Sequence, residues 1–426
     1  MSRLMICLGV VAALMAAPVL GAQSAAPAGS AQALSLETLE ARALAQHPAI
    51  QQAAARVDEA RGRLAQAGAW ENPMVGGTAG ELRPRESPSG AFGGFVEQTF
   101  TLGGKRQAAR LSAGAEVALR EAELAAVHQR VTVDVRSAYY EVLAAAEKLK
   151  VSERLLAVTD EAVGIVRQLV NVGIAQKPDV LEAEADAARQ KAMRASARAH
   201  QAGAWRRLAA AVADPALAAP PAELTLDGAI PVLDRQASLD LILQGNPEVK
   251  AADAGAARQR AAVDVERRSV FPDLTLRGEA AWNREHFGAA MFPRSLGWEY
   301  GAEAGIRLPL WNTNRGGIMA ARASVTAADA AAAQARLELD ARFSTLFEEY
   351  ERARLMADAY KAEILPRLEQ AFEMHLSTYR TMATPYPQVL AAQRQLVETT
   401  EQYVDALDRA WQAAVRIQGM VIGGSR

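Results

Sequence analysis

Between Lys105 and Val172 the chain runs for 68 residues without a proline. Acidic, basic and Ala, Leu or Val positions interleave there at helical spacing. One helix of that length measures roughly 100 Å at 1.5 Å per residue, several times the width of a small domain. The pattern returns from Arg315 to about Arg380, interrupted once by Pro366, where the missing N–H and the ring predict a kink or break. Each rod ends in a turn signal, Asn171-Val172-Gly173 or Thr384-Pro385-Tyr386-Pro387. Returning helices are expected over about Asp179–Ala211 and Gln388–Gln418. Composition agrees with close-packed helices: 94 residues are alanine, 50% are hydrophobic and only 5% are aromatic.

The rods belong to a larger repeat. His47-Pro48-Ala49-Ile50 opens one helix, and Asn246-Pro247-Glu248-Val249 opens another 199 positions later. Asn72-Pro73-Met74 matches Phe271-Pro272-Asp273 at the same offset. Phe100-Thr101-Leu102 with Lys105-Arg106 resembles Leu308-Pro309-Leu310 with Asn314-Arg315, and Pro178-Asp179-Val180-Leu181 resembles Pro387-Gln388-Val389-Leu390. Two tandem halves of about 200 residues follow, residues 23–211 and 238–426, joined by a Pro-rich seam over 212–237. Each half reads as a helix, two short strands, a very long helix, a tight turn and a returning helix.

Residues 1–22 read as a secretory signal, with Arg3 followed by an apolar stretch that ends in Gly21-Ala22. The only cysteine, Cys7, lies inside it. The mature chain is then expected to carry neither a disulfide nor a lipid-accepting cysteine, and its formal charge moves from −2 to −3 with the loss of Arg3. That balance excludes a basic nucleic-acid binder. Mean hydropathy is −0.05, and beyond residue 22 no uncharged apolar run approaches the ~20 residues of a membrane helix.

The segments between the helices carry the most specific signal. Leu274, Leu276, Gly278, Ala280 and Trp282 alternate with Thr275, Arg277 and Glu279. Trp298, Tyr300, Ala302, Ala304, Ile306 and Leu308 alternate with Glu299, Glu303 and Arg307. In the first half Val96, Gln98, Phe100 and Leu102 alternate with Glu97, Thr99 and Thr101, and Met74–Leu82 is Gly-rich. Strands of about ten residues, apolar on one side and polar on the other with aromatics at the ends, are the pattern of a transmembrane β-barrel. Arg277, Glu279, Glu299, Glu303 and Arg307 are then expected in a wet lumen, and Trp282, Trp298 and Tyr300 in an aromatic girdle at the headgroups. Four strands cannot close a barrel, and open edges in lipid leave backbone groups unpaired at several kcal/mol each. The barrel must therefore be shared between copies: two would supply eight strands and three would supply twelve.

With these features the chain resembles the TolC-like outer-membrane efflux proteins from about Leu34 to Val421. The run Val96-Glu97-Gln98-Thr99-Phe100-Thr101-Leu102-Gly103-Gly104-Lys105-Arg106 is similar to their heavy-metal, cobalt–zinc–cadmium branch. The resemblance implies a mainly α fold with a small β part: a homotrimer with a shared twelve-stranded barrel in the outer membrane of a Gram-negative bacterium and a long α-helical barrel across the periplasm. It further implies a passive exit duct docked through a periplasmic adaptor onto an inner-membrane pump of the resistance-nodulation-division (RND) class, with heavy-metal cations or other small toxic compounds as cargo. The family places its gate at the helical turns farthest from the membrane, where an aromatic at the Tyr379 position bonds an acid at the Asp179 position. A basic residue some members carry falls at Thr384, and acids that can ring the aperture fall at Gln388 and Ala391, so the resemblance leaves Asp179 and Glu182 as the acidic ring. Read from the residues alone, Asp179 caps the returning helix beside Pro178 and Glu182 is solvated surface.

Catalysis has no support. His47, His128, His200, His286 and His375 are scattered, with no metal-ligand spacing, and no nucleophile or nucleotide fingerprint is present. Neither cofactor nor metal is expected. Gly103-Gly104 and Gly316-Gly317 fall where strand passes to rod and are expected to make that sharp turn. Two other readings fit part of the pattern: the exit channel of a type I protein secretion system, and a soluble periplasmic coiled-coil adaptor.

Overall fold

The computed structural model describes residues 35–83, 89–173, 175–217, 226, 230–287, 294–381 and 386–421. The expected signal, part of the Pro-rich seam and Thr384 lie outside the described residues. Helices α1 (Leu36–Gln46) and α2 (Pro48–Ala67) precede strands β1 (Met74–Arg83) and β2 (Ser89–Phe100), followed by the rod α3 (Lys105–Asn171) and its return α4 (Lys177–Ala211). The order then recurs: α5 (Arg235–Gly245), α6 (Pro247–Arg268), β3 (Leu274–Phe287), β4 (Arg294–Ile306), α7 (Arg315–Ala359), α8 (Leu365–Arg380) and α9 (Tyr386–Val421).

Where the sequence suggests one helix before each strand pair, the structure has two. A residue before proline is pushed out of the helical region, and His47 and Asn246 both sit extended, with ψ of 125°. Each caps the helix its proline opens: His47 Nδ1 accepts from the Ala49 N–H at 3.2 Å, and Asn246 Oδ1 from the Glu248 N–H at 2.8 Å. The repeats also share an ion pair between second helix and rod, Arg61–Glu121 in one and Arg260–Asp329 in the other.

Small side chains let the long helices pack closely. Ala144, Ala145, Ala183, Ala204, Ala410 and Ala414 are all buried along the seams between rods and returns. Larger cores sit at two levels. Leu339, Phe343, Phe347 and Tyr350, in the half of α7 away from the strands, pack on Ile242 and Ile417, and the Tyr350 hydroxyl donates to the Pro231 carbonyl. Val163, Val166, Phe372, Tyr379 and Val389 form a second core near the far turns. The break foreseen at Pro366 is a single π turn, Tyr360–Ile364, between α7 and α8. Proline at the second position of α8 brings no N–H and crowds the carbonyl four residues back, and the wider turn relieves both.

The four strands form one antiparallel sheet in the order β1-β2-β3-β4. Val96 lies opposite both Val75 and Gly278, and Leu274 opposite both Phe100 and Ile306. The strands outrun the sequence reading: β3 continues past Trp282 to Phe287, and β4 begins at Arg294. Trp282 and Trp298 are therefore cross-strand partners within the hairpin rather than its last residues.

Candidate functional site

Residues directly opposite one another share a face of a sheet, so the register sorts every strand residue. One face carries Val75, Phe92, Val96, Leu276, Trp282, Trp298, Tyr300 and Ile306, each more than two-fifths exposed, with glycine and alanine between them. Its polar members include Gln98, which donates to the Glu71 carbonyl at 2.9 Å near the rods, and Arg284 on β3, whose guanidinium lies 5.5 Å from the Phe92 ring centroid. The opposite face carries Glu97 of β2, Arg277 and Glu279 of β3, and Glu299 and Glu303 of β4. Four carboxylates against one guanidinium leave this face acidic.

The polar face is internally bonded. Arg277 donates to Glu279 at 3.3 Å and lies 4.0 Å from the Phe95 ring centroid. Asn283 donates to Glu299 at 3.1 Å, and the Thr99 and Thr275 hydroxyls meet at 3.4 Å. Glycines make room for the large members: a Cβ on Gly76 would lie 2.5 Å from the Phe95 ring, and one on Gly301 2.8 Å from Glu279. Glu97, which alternates with Val96 and Gln98 in the sequence but is not among the lumen residues expected from it, stands opposite Arg277. Arg307 lies one residue beyond β4, lining the junction to α7 rather than the sheet.

Aromatic side chains bound the apolar face at both ends. Trp282 and Trp298 meet edge to face with centroids 5.6 Å apart, and Trp298 stacks on Tyr300 at 6.4 Å. At the rod end Trp70 packs edge-on to Phe100, with Arg106 3.7 Å from its ring centroid, and Trp311 stands almost fully exposed. Leu274 to Trp282 spans about 26 Å along the strand at 3.3 Å per residue, close to the ~25 Å apolar band of an outer-membrane barrel. No helix among the described residues is long and apolar enough to cross a membrane.

Strand passes to rod through left-handed backbone. Gly103 and Gly104 have φ of 66° and 71°. In the second repeat Asn314, φ 50°, takes this role, correcting the expectation for Gly316-Gly317, which lie inside α7. Asparagine tolerates the left-handed region through local hydrogen bonds, and Asn314 Nδ2 donates to the Glu266 side chain and the Ser269 hydroxyl, both at 2.7 Å. The two repeats are bolted here: Arg268 donates to the Gly103 carbonyl at 2.8 Å, and Lys105 pairs with Asp273 at 2.7 Å.

At the far turns, Tyr379 is buried among Val163, Val166, Phe372 and Val389. Burial, and then the nearby Asp179 carboxylate, raise its phenol above the ordinary value. Asp179 also completes a capping box, accepting from the Gln176 N–H at 2.8 Å. Glu182 and Gln388 are exposed on α4 and α9. Sequence reasoning missed the cross-repeat bonds just above: Arg394 of α9 makes a two-pronged pair with Asp186 of α4 at 2.8 and 2.9 Å, and Gln393 donates to the buried Thr159 hydroxyl at 2.8 Å. Neither has a local sequence signature, because the partners are more than 200 residues apart. No group of three or more His, Cys, Asp or Glu able to hold a metal occurs among the described residues.

Known proteins share this arrangement. The chain matches the outer membrane efflux protein family over residues 39–214 and 238–421. It is 26% identical over 397 residues to the cobalt-zinc-cadmium resistance protein CzcC of Cupriavidus metallidurans, covering 92% of this chain and 90% of that one. To the nickel and cobalt resistance protein CnrC of the same organism it is 30% identical over 321 residues, covering 72% of each. The solved open state of the MtrE outer membrane channel of Neisseria gonorrhoeae superposes with a TM-score of 0.74 at 19% identity, covering 91% of this chain and 89% of that one.

Proposed function

This chain belongs to the outer membrane efflux protein family and is an outer-membrane efflux channel rather than an enzyme; from that premise we propose that three copies form the exit duct of a tripartite pump, completed by a periplasmic adaptor and an inner-membrane RND transporter. The observation that carries the reading is the sheet: an apolar face bounded by aromatics, an acidic face behind it, and two open edges, all mounted on rods of membrane-to-periplasm length. Its cargo is heavy-metal cations. The resistance proteins it is similar to, named for cobalt, zinc, cadmium and nickel, support that choice, as does a lumen face on which carboxylates outnumber guanidinium groups. The duct itself is passive, with specificity residing in the pump. Tyr379 and Asp179 hold the periplasmic tip closed, with Glu182 and Gln388 around the aperture. Exclusion of the soluble-adaptor reading follows from membership in the channel family.

The test is a deletion strain. Loss of the gene should lower tolerance to cobalt, zinc, cadmium or nickel, and the chain should fractionate with the outer membrane as a detergent-requiring trimer. Unchanged metal tolerance together with failure to export a protein substrate would instead favour a type I secretion partner.

A further inference from the structure

Phe95 breaks the chemistry of its face. It stands on the polar side of the sheet, opposite Gly76 on β1 and Glu279 on β3, where a barrel strand carries groups that suit water. The ring is covered by a charge: the guanidinium carbon of Arg277 lies 4.0 Å from its centroid, well within the range of a cation seated on a π face. Gly76 makes the place for this ring, since a Cβ there would lie 2.5 Å from a ring carbon.

Arg277 had other partners within its row. Glu97 and Glu303 lie directly opposite it on β2 and β4, the positions that ordinarily pair across a ladder. Among the described residues it forms an ion pair with neither, and instead reaches along its own strand to Glu279 at 3.3 Å. Its Nε is buried and makes no hydrogen bond, as expected of a guanidinium laid against the wall rather than aimed at an acid. Exposure follows the same division. The Arg277 side chain is 30% exposed and that of Glu279 45%, while Glu299 and Glu303 are exposed as well. The cation lies back and the carboxylates stand forward.

We propose that Arg277 is the residue that sets how strongly the barrel lumen favours cations, and that Phe95 and Glu279 position it. Laid on the ring, its charge is withdrawn from the water path, and a hydrated divalent cation meets the carboxylates first. Freed from the ring, the same charge would swing to Glu97 or Glu303 and cancel them with no change in formal charge. The cation is held by field rather than by coordination, weakly enough to leave, as conduction requires. This rests on the reading of the polar face as a wet, acidic lumen and adds the residue that tunes it.

The chain has no cysteine after Cys7, so an introduced thiol reports cleanly. Gly305 lies on the polar face opposite Thr275, two residues from Glu303, with open space where a Cβ would go. Gly305→Cys in the full-length protein in lipid vesicles is treated with a cationic or an anionic methanethiosulfonate, each rate being taken relative to that with a free thiol. The ratio of the two rates reads the local potential, and the cationic reagent should react faster. Adding Arg277→Gln should raise the ratio. Arg277→Lys keeps the charge but loses the flat guanidinium, and it should lower the ratio, as should Phe95→Leu. Each shift should be about two- to fivefold, the effect of a charge displaced by a few ångström in water. Phe95→Tyr keeps the ring and should keep the ratio. A role in folding alone would change the yield of protein and leave the ratio where it was. If Phe95→Leu does not fold, Arg277→Lys decides. A ratio raised by Arg277→Gln but unmoved by Arg277→Lys overturns the positioning, because charge alone then accounts for it. A ratio unmoved by either Arg277 substitution overturns the role of Arg277 and leaves the acidic lumen standing. A thiol at position 305 that reacts with neither reagent, or faster with the anionic one, removes the acidic lumen and the proposal with it.

Discussion

At the residue scale, backbone conformation does much of the positioning. Gly103 turns the chain from strand to rod, and a Cβ there would lie 2.4 Å from the Phe271 side chain. Gly173 has a similar φ of 78° but open space around it. Gly173→Ala should therefore cost only the left-handed backbone term, about 1–2 kcal/mol, and Gly103→Ala distinctly more, because Phe271 must move as well; denaturant midpoints in detergent measure both, and equal losses would mean that the contact with Phe271 is unimportant. Charge burial gives a second test on the rods. Burial raises the carboxyl of Asp408 on α9, against the opposing charge of Lys148, and burial does the same to Glu401. Folded values above unfolded ones mean that these groups contribute stability that is complete below the unfolded pKa, near 4, and is lost as pH rises through the folded value. Asp408→Asn should thus stabilise the protein at pH 8 relative to the parent and change it little at pH 4. A gap between variant and parent that is the same at both pH values would contradict burial as the cause.

At the element scale, the sheet was legible because a strand has period two. Each residue's face follows from its number, and Leu276, Gly278 and Ala280 alternating with Arg277 and Glu279 needed no tertiary information. The consequence is sharp for neighbours. Ala302 faces the apolar side opposite Gly278, and Glu303 faces the acidic side opposite Arg277. Ala302→Arg should cost about 2–4 kcal/mol per copy in the bilayer, while Glu303→Arg, in a wet lumen, should assemble nearly as well as the parent. The yield of folded protein in the outer membrane measures the difference, and equal losses would reverse or abolish the assignment of faces. Strand ends were less legible. Gly316-Gly317 looked like the turn into the second rod, but Asn314 makes it, because its amide finds Glu266 and Ser269 on the neighbouring helix.

At the scale of the whole molecule, the proposed gate lies at the far turns. Tyr379 is buried in a core shared by both repeats, and Asp186–Arg394 ties their return helices together close by. Tyr379→Phe combined with Asp179→Ala should raise single-channel conductance in planar bilayers; conductance equal to the parent's would remove Tyr379 and Asp179 from the gate. The sequence by itself determined the rods, their proline break, the tandem repeat and the two faces of the sheet, since each is written in spacings of a few residues or in self-similarity along the chain. Only the tertiary structure decided which strands pair in which register, that Asn314 rather than a glycine turns into the second rod, and that Asp186 meets Arg394. Those features depend on which groups meet across hairpins or, for Asn314 and Asp186, on partners more than forty and more than two hundred positions away, and no local period records such a meeting.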